Sequence, residues 1–482
     1  MDAGSNGLSK STALTVLTIL TIVAIVPVWL VKYPPLVDYP MHVARGYLLS
    51  LPQNGQGITE FYRANVQPVP NLGMDLIVSQ LMKIAQPLAV GKLFLSLIIG
   101  LLLTGGFALS CSIHKRATLA AFLPMVALYD LWFFMGFANY LFGLGIAFWA
   151  VAMWNWSQDW PKGRRATVMA LFGVALVVCH LMGLFVAVLL ILGSSVRIKP
   201  MTALLASVGF CGVVFVALFL MHKTPIDWAG RLGSLLFGLS PTVLGLGAIV
   251  PILALVKTRP VPILVPPLVS LLVFALIGPS FAGGTAFTCD RLTLPLLIVT
   301  LASLDFKQGL SRKATLMCAA VLPLALLLPL VQWFGQAEES RSVVDNLKVD
   351  GRATLATVDL GLRKRPSWAY QRHLADWMII DQHVFVASNF AKRLQQPMVF
   401  QDDYEPWHKF QKNNPLELES WDSLWASVPE MVKLQSELSA QRGYATALYV
   451  LVYHPAGQVS GSTPKGVSMH GSGDTWTLLK VD

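Results

Sequence analysis

The sequence predicts a polytopic α-helical membrane protein with about eleven spans, followed by an extracytoplasmic α+β domain at the C-terminal end. Three observations predict it: 55% hydrophobic against 13% charged residues, recurrent apolar runs near twenty residues long, and a return to ordinary composition after Phe334. A water-facing surface needs about 25% charged residues, whereas a lipid-facing one does not. The mean hydropathy of +0.60 agrees.

Apolar runs long enough to span lie near 12–32, 88–113, 118–136, 139–157, 201–221, 233–256, 261–280 and 314–334. Residues 166–196 form one longer run that breaks near His180-Leu181-Met182-Gly183 and reads as two short spans turning there. A short run at 292–306 completes the set, since an embedded span needs roughly twenty residues or fewer. The first run is too long for the apolar core of a signal peptide and lacks a small-residue cleavage site, so a retained first helix is expected.

The net charge of +10 does not point to nucleic acid, because the basic residues sit in knots between apolar runs. The knots are Lys115-Arg116, Lys162 to Arg165, Arg197 with Lys199, Lys257 with Arg259, and Lys307 through Lys313. Short loops rich in lysine and arginine stay in the cytoplasm. With the N-terminus inside, alternation puts every knot on that side. Loops 33–87, 137–138, 222–232 and 281–291 then lie outside, as does the C-terminal domain. The domains expected are 1–334 in the membrane and 335–482 in water. All five cysteines lie in or beside apolar segments, so no disulfide framework is expected.

The outer loop 33–87 carries two helical signals. Pro40 suits the first turn of a helix reaching about Leu51. Residues 71–86 alternate apolar and polar at helical spacing, with Asp75, Gln80 and Lys83 inside, as an interfacial helix does. In the C-terminal domain, 352–359, 447–453 and 476–481 read as strands. The segments 367–393 and 422–441 read as helices, with a polar stretch at 402–415 between them.

Chemistry concentrates at the outer rim. Asp38 precedes the Pro40 helix, and His42 and Arg45, three apart, share one helix face. Either these three converge as an anion-binding pair beside a carboxylate, or Asp38 caps the helix while Arg45 reaches lipid headgroups. Asp130 lies in the outer half of an apolar run, where a charge needs a cavity or a partner; locking helix packing is the other reading. His180 sits at the expected turn. Asp290 and Arg291 either neutralise each other or offer the planar, permanently charged guanidinium to a phosphate. His373, Asp376, Asp381 and His383 are spaced too loosely for a metal site and read as a solvated face. No Walker loop, Rossmann glycine pattern, Gly-x-Ser-x-Gly elbow or His-Glu-x-x-His sequence occurs. The cytosolic loops are also too short to hold a nucleotide-sugar domain.

This layout, with Asp38 early in a long outer loop and Asp290-Arg-Leu-Thr-Leu-Pro295 leading into a late span, resembles the GT-C superfamily of membrane glycosyltransferases. The resemblance covers roughly residues 10–335 and rests on layout more than residue identity. It implies a sugar donor linked to polyprenyl phosphate, an extracytoplasmic acceptor, and a place in the inner (plasma) membrane. In members similar to the aminoarabinose and protein O-mannosyl transferases an essential Asp opens the outer loop, and Asp38 matches it. Arg291 matches the basic residue that meets the carrier phosphate. Asn139 stands where a second acid is usual, with Asp130 two turns earlier, so no cofactor is implied with certainty and a divalent metal stays open. The expected reaction is displacement at the anomeric carbon, with Asp38 as base and Arg291, with His42 or Arg45, offsetting the phosphate charge. Asp38, His180 and Arg291, with Asp130 nearby, are expected to line one outward-facing cavity. A transporter or flippase, or a non-catalytic subunit of a polysaccharide assembly system, is the alternative; a transporter would place its polar groups near the bilayer midplane.

Overall fold

The computed structural model describes residues 8–67, 70–193, 258–278, 281–282, 285–306, 311–360, 371–389, 396–412, 415–457 and 463–482, with isolated positions at 202, 209 and 213. The spans expected at 201–221 and 233–256, the loop 222–232 and Cys211 therefore lie outside the described residues. The chain forms two compact units. The first comprises Met1–Leu30, Leu95–Phe133 and Phe137–Gln332; the second comprises Val31–Phe94, Phe134–Gly136 and Trp333–Asp482. The outer loop thus belongs to the same unit as the C-terminal part.

Three stretches among the described residues are long and apolar enough to cross a membrane: Lys10–Leu30, Pro87–His114 and Arg312–Asn346. Leu181–Gly193 and Val265–Ile277 are shorter apolar helices. In the first unit, the helix Ala138–Trp156 is the post on which its neighbours pack. Small residues let backbones close on it, as is usual between helices in lipid. A Cβ on Gly183 would lie 2.8 Å from the carbonyl carbon and oxygen of Gly143, and one on Gly105 would lie 2.8 Å from the Gly145 oxygen. The helices Lys162–Cys179 and Leu181–Gly193 both pack along this post, so the chain reverses at His180, whose backbone is extended. The break read from the sequence is there. At the basic knot, Arg165 stacks over Trp154 and Arg164 over Trp160, at 3.5 and 4.1 Å.

The run 118–136 is not a continuous α-helix. It forms two 3-10 turns, Leu119–Ala121 and Leu123–Ala127, and a one-turn helix, Leu131–Phe134. Pro124 lacks an amide hydrogen to continue a regular helix. The broken backbone is accommodated because nearly every side chain from Ala117 to Met135 is buried in protein.

In the second unit the C-terminal part builds a sheet in the order Val467–Ser472, Trp476–Val481, Leu448–Tyr453, Thr354–Leu360. Leu448–Tyr453 runs parallel to Thr354–Leu360 and antiparallel to Trp476–Val481. Phe385–Val386 and Leu416–Leu418 add to the far side of Thr354–Leu360. The two central strands are buried at every position, as parallel strands covered on both faces are. The helix Trp421–Arg442 is close to the one expected. Of the helix expected over 367–393, residues 367–370 and 390–393 lie outside the described residues; between them the chain forms a 3-10 turn, Leu374–Asp376, a short helix, Trp377–Asp381, and the Phe385–Val386 strand. His383, with φ 54°, turns the chain into the sheet, and the apolar Val384-Phe385-Val386 stretch is buried there.

The outer loop is woven into this unit. Tyr62–Ala64 pairs antiparallel with Met398–Phe400. The helices Tyr39–Ser50 and Gly73–Leu81 lie together, and a Cβ on Gly46 would sit 2.7 Å from a Val78 methyl. Leu76 and Ile84 remain exposed, which suits the interfacial role expected for this segment.

Candidate active site

In the second unit, the site begins with how residue 38 is held. The amides of Val37 and Asp38 donate to the carbonyls of Phe134 and Met135 at 3.0 and 3.1 Å. Gly136 then turns with φ +72°, a conformation that costs a side-chain-bearing residue dearly. Pro40 starts the helix Tyr39–Ser50, and Asp38 occupies its N-cap position, yet the Asp38 side chain makes no capping hydrogen bond. One Asp38 Oδ1 instead lies 3.8 Å from His373 Nε2. The Asp38 side chain is a quarter exposed, whereas that of His373 is 4% exposed. The ring's other nitrogen, Nδ1, lies 3.4 Å from Asp376 Oδ2, and Asn389 Nδ2 donates to Asp376 Oδ1 at 2.8 Å. Trp377, next in the chain, packs against Tyr33 and Tyr39, with ring centroids at 5.2 and 5.9 Å. That aromatic clamp docks the turn carrying His373 against the start of the helix.

His42 and Arg45 do share a face, but neither is free for a substrate phosphate. Arg45 is wholly buried and grips Asp75 with two hydrogen bonds, Nε to Oδ1 at 2.6 Å and Nη2 to Oδ2 at 3.2 Å. Burial permits neither the expected anion-binding role nor snorkelling to headgroups. Arg45 Nη2 also lies 2.6 Å from His42 Nδ1. A guanidinium only donates, so His42 Nδ1 accepts and the neutral ring carries its proton on Nε2. Burial, then the Arg45 charge, holds His42 well below the usual histidine range. His373 and Asp376 are buried too, so the solvated face read there is corrected; Asp381 and His383 are exposed as expected. No local pattern marks this pairing, because His373 lies far beyond Asp38 in the chain.

The first unit assembles a second group. Met182 N–H donates to His180 Nδ1 at 3.1 Å, on the side of the ring away from Nε2. Arg291 Nη1 lies 3.3 Å from that Nε2. The imidazole and the guanidinium are thus in direct contact. The guanidinium is stacked over Phe137 at 4.0 Å, and the Tyr140 hydroxyl donates to the Arg291 carbonyl at 2.6 Å. Asp130, buried, accepts from the Phe133 amide at 3.0 Å and so starts the Leu131–Phe134 helix. This contact fits the packing reading of Asp130. Asn139 is buried in the first turn of Ala138–Trp156. His180 and Arg291 are thus brought together, while Asp38 belongs to the other compact unit.

Among the described residues no three His, Cys, Asp or Glu side chains gather into a metal site.

The fold is similar to one seen in solved structures over nearly the whole chain. Among the solved structures that match are two of ArnT from Cupriavidus metallidurans, one bound to undecaprenyl phosphate and one in the apo state. Each superposes with a TM-score of 0.50 over 98% of both chains, at 10% and 11% sequence identity. No protein-family profile matches the sequence, and no curated protein does. With its apolar helices and this fold, the chain is a multi-pass membrane protein.

Proposed function

We infer that the protein is a glycosyltransferase that moves a sugar from a polyprenyl-phosphate carrier to an extracytoplasmic acceptor. The observation that carries this reading is the Asp38 carboxylate: partly exposed, released from capping, and backed by a buried histidine, in a fold shared with a transferase that binds undecaprenyl phosphate. Asp38 takes the proton from the acceptor hydroxyl as its oxygen bonds to the anomeric carbon. The bond from that carbon to the phosphate oxygen breaks, and the electron pair leaves with the carrier phosphate. Arg291, with His180 against it, meets the growing phosphate charge; one such donor typically contributes about 3 kcal/mol. A water-poor setting strengthens each of these interactions.

The orientation that fits places the N-terminus in the cytoplasm and the C-terminal domain outside, with about eleven spans in the plasma membrane. Reporters fused after Arg165 and after Asp482 test it: activity is expected inside for the first and outside for the second. The function is tested with purified protein in nanodiscs and a panel of undecaprenyl-phosphate pentoses and hexoses. Saturable binding of one donor and release of undecaprenyl phosphate in the presence of envelope glycolipid are expected. Transport of a donor across the bilayer without cleavage would instead establish a flippase.

A further inference from the structure

The second unit holds an array that base catalysis by Asp38 alone does not require: carboxylate, imidazole, carboxylate, with only the outermost group reaching solvent. Asp38 Oδ1 faces His373 Nε2 at 3.8 Å, and His373 Nδ1 faces Asp376 Oδ2 at 3.4 Å. Neither His373 Nδ1 nor Asp376 Oδ2 makes a hydrogen bond within the described residues, although both are buried. Buried polar atoms are nearly always satisfied, and each has only the other within ion-pair reach. Asn389 fixes the far oxygen of Asp376 at 2.8 Å, so that carboxylate is already aimed at the ring.

We propose that His373, oriented by Asp376, is a positioning residue that relieves Asp38 of the acceptor's proton. The proposal rests on the reading of Asp38 as the base. The acceptor O–H proton passes to the Asp38 carboxylate while the new glycosidic bond forms and the carrier phosphate departs with its electron pair. Asp38 hands that proton to Nε2 of the neutral His373 ring. The imidazolium so formed donates from Nδ1 to Asp376, and the 3.4 Å contact becomes a charge-assisted hydrogen bond. Asp38 is thereby ionised again while product is still bound, and His373 later releases the proton to solvent through Asp38. The other charged or titratable groups near the ring are His42, with Arg45 behind it, on the helix Tyr39–Ser50. Asp381, on the short helix that follows, is engaged by the Tyr33 hydroxyl at 3.3 Å. The Arg45 charge is matched by Asp75, and Tyr62 and Tyr453, the latter with Asp359 near it, face Asp376 from the other side.

The test is the pH profile of single-turnover transfer from the undecaprenyl-phosphate sugar that the wild type uses. In the wild type the rate falls on the acid side where His373 is already protonated and cannot accept. In His373→Gln the plateau is expected to drop about 100-fold, and the acid limb should move to lower pH, where only Asp38 protonates. In Asp376→Asn the ring loses the anion that favours its charged form, so the acid limb should also move to lower pH, with a smaller drop in plateau. Ring signals of 13C-labelled histidine, followed from pH 5 to 8 in wild type and Asp376→Asn, read the same displacement without substrate and serve if His373→Gln does not fold. Acid limbs and His373 titration that coincide in all proteins would overturn the relay. An Asp38→Asn variant run alongside separates the two ideas: full activity there removes the base itself, whereas an inactive Asp38→Asn with unmoved acid limbs removes only the relay.

Discussion

Gly136 approaches Asp38 so closely that a Cβ on it would lie 2.9 Å from the Asp38 amide nitrogen and 2.8 Å from that of Tyr39. No flexible side-chain end is available to yield; the obstacle is backbone. Gly136→Ala should therefore push residue 38 away from His373, besides straining φ by about 1–2 kcal/mol. Turnover is expected to fall tenfold or more while the protein still accumulates. Gly57→Ala is the control, since Gly57 also has positive φ but open space around its Cβ. It should show the loss in melting temperature without the loss in turnover.

The buried Arg45–Asp75 pair clamps the two outer-loop helices rather than meeting substrate. Removing one partner strands a charge without solvent, a change that costs about 3–5 kcal/mol. Arg45→Met and Asp75→Leu should each lower stability by that amount, and the double variant should recover most of it. Donor affinity of the double variant should match wild type. Loss of donor affinity at restored stability would return Arg45 to the phosphate site.

His42 supplies a pH dependence with a definite sign. Its folded-state value lies well below the unfolded one, chiefly through burial. As pH falls below the unfolded value of about 6.5, the unfolded chain takes up a proton that the folded chain does not. Stability is therefore lost from that point downward, by up to about 1.4 kcal/mol per pH unit until the folded value is reached. His42→Gln keeps an acceptor for Arg45 and cannot titrate. Thermal unfolding between pH 7.5 and 5 should give a shallower slope for the variant; equal slopes would show that His42 is charged when folded.

Segment type was legible where periodicity and length are local properties: the first helix, the Pro40 helix, the break at His180 and the buried strand Leu448–Tyr453 all follow from their own residues. The 118–136 run was misread because hydropathy measures burial, and burial by protein permits 3-10 geometry that lipid would not. The site was half legible. Asp38 stands out by position, and Arg291 by its charge near an apolar run. Asp75, though, looked like a polar face until Arg45 was found against it, and His373 and Asp376 carry no local mark of burial. A carboxylate and an imidazole brought together by packing of the 374–381 segment against the helix Tyr39–Ser50 leave no spacing to read.

Arg291 should govern donor affinity. Arg291→Ala removes a permanent charge and the stacking over Phe137, so both donor binding and turnover should weaken. Arg291→Lys should restore only part of the binding, because a point charge cannot reproduce a planar fork held over an aromatic ring. Binding isotherms for the three proteins with one undecaprenyl-phosphate sugar decide this. Equal affinities would assign the phosphate to other residues.

The central claim is that Asp38 performs chemistry, and single-turnover transfer by Asp38→Asn, measured with donor binding on the same preparation, tests it most directly. Asparagine keeps the size and polarity of the side chain but cannot accept a proton at neutral pH. The account predicts a rate lower by about two to four orders of magnitude with donor affinity within a few-fold of wild type. Transfer at the wild-type rate would contradict it.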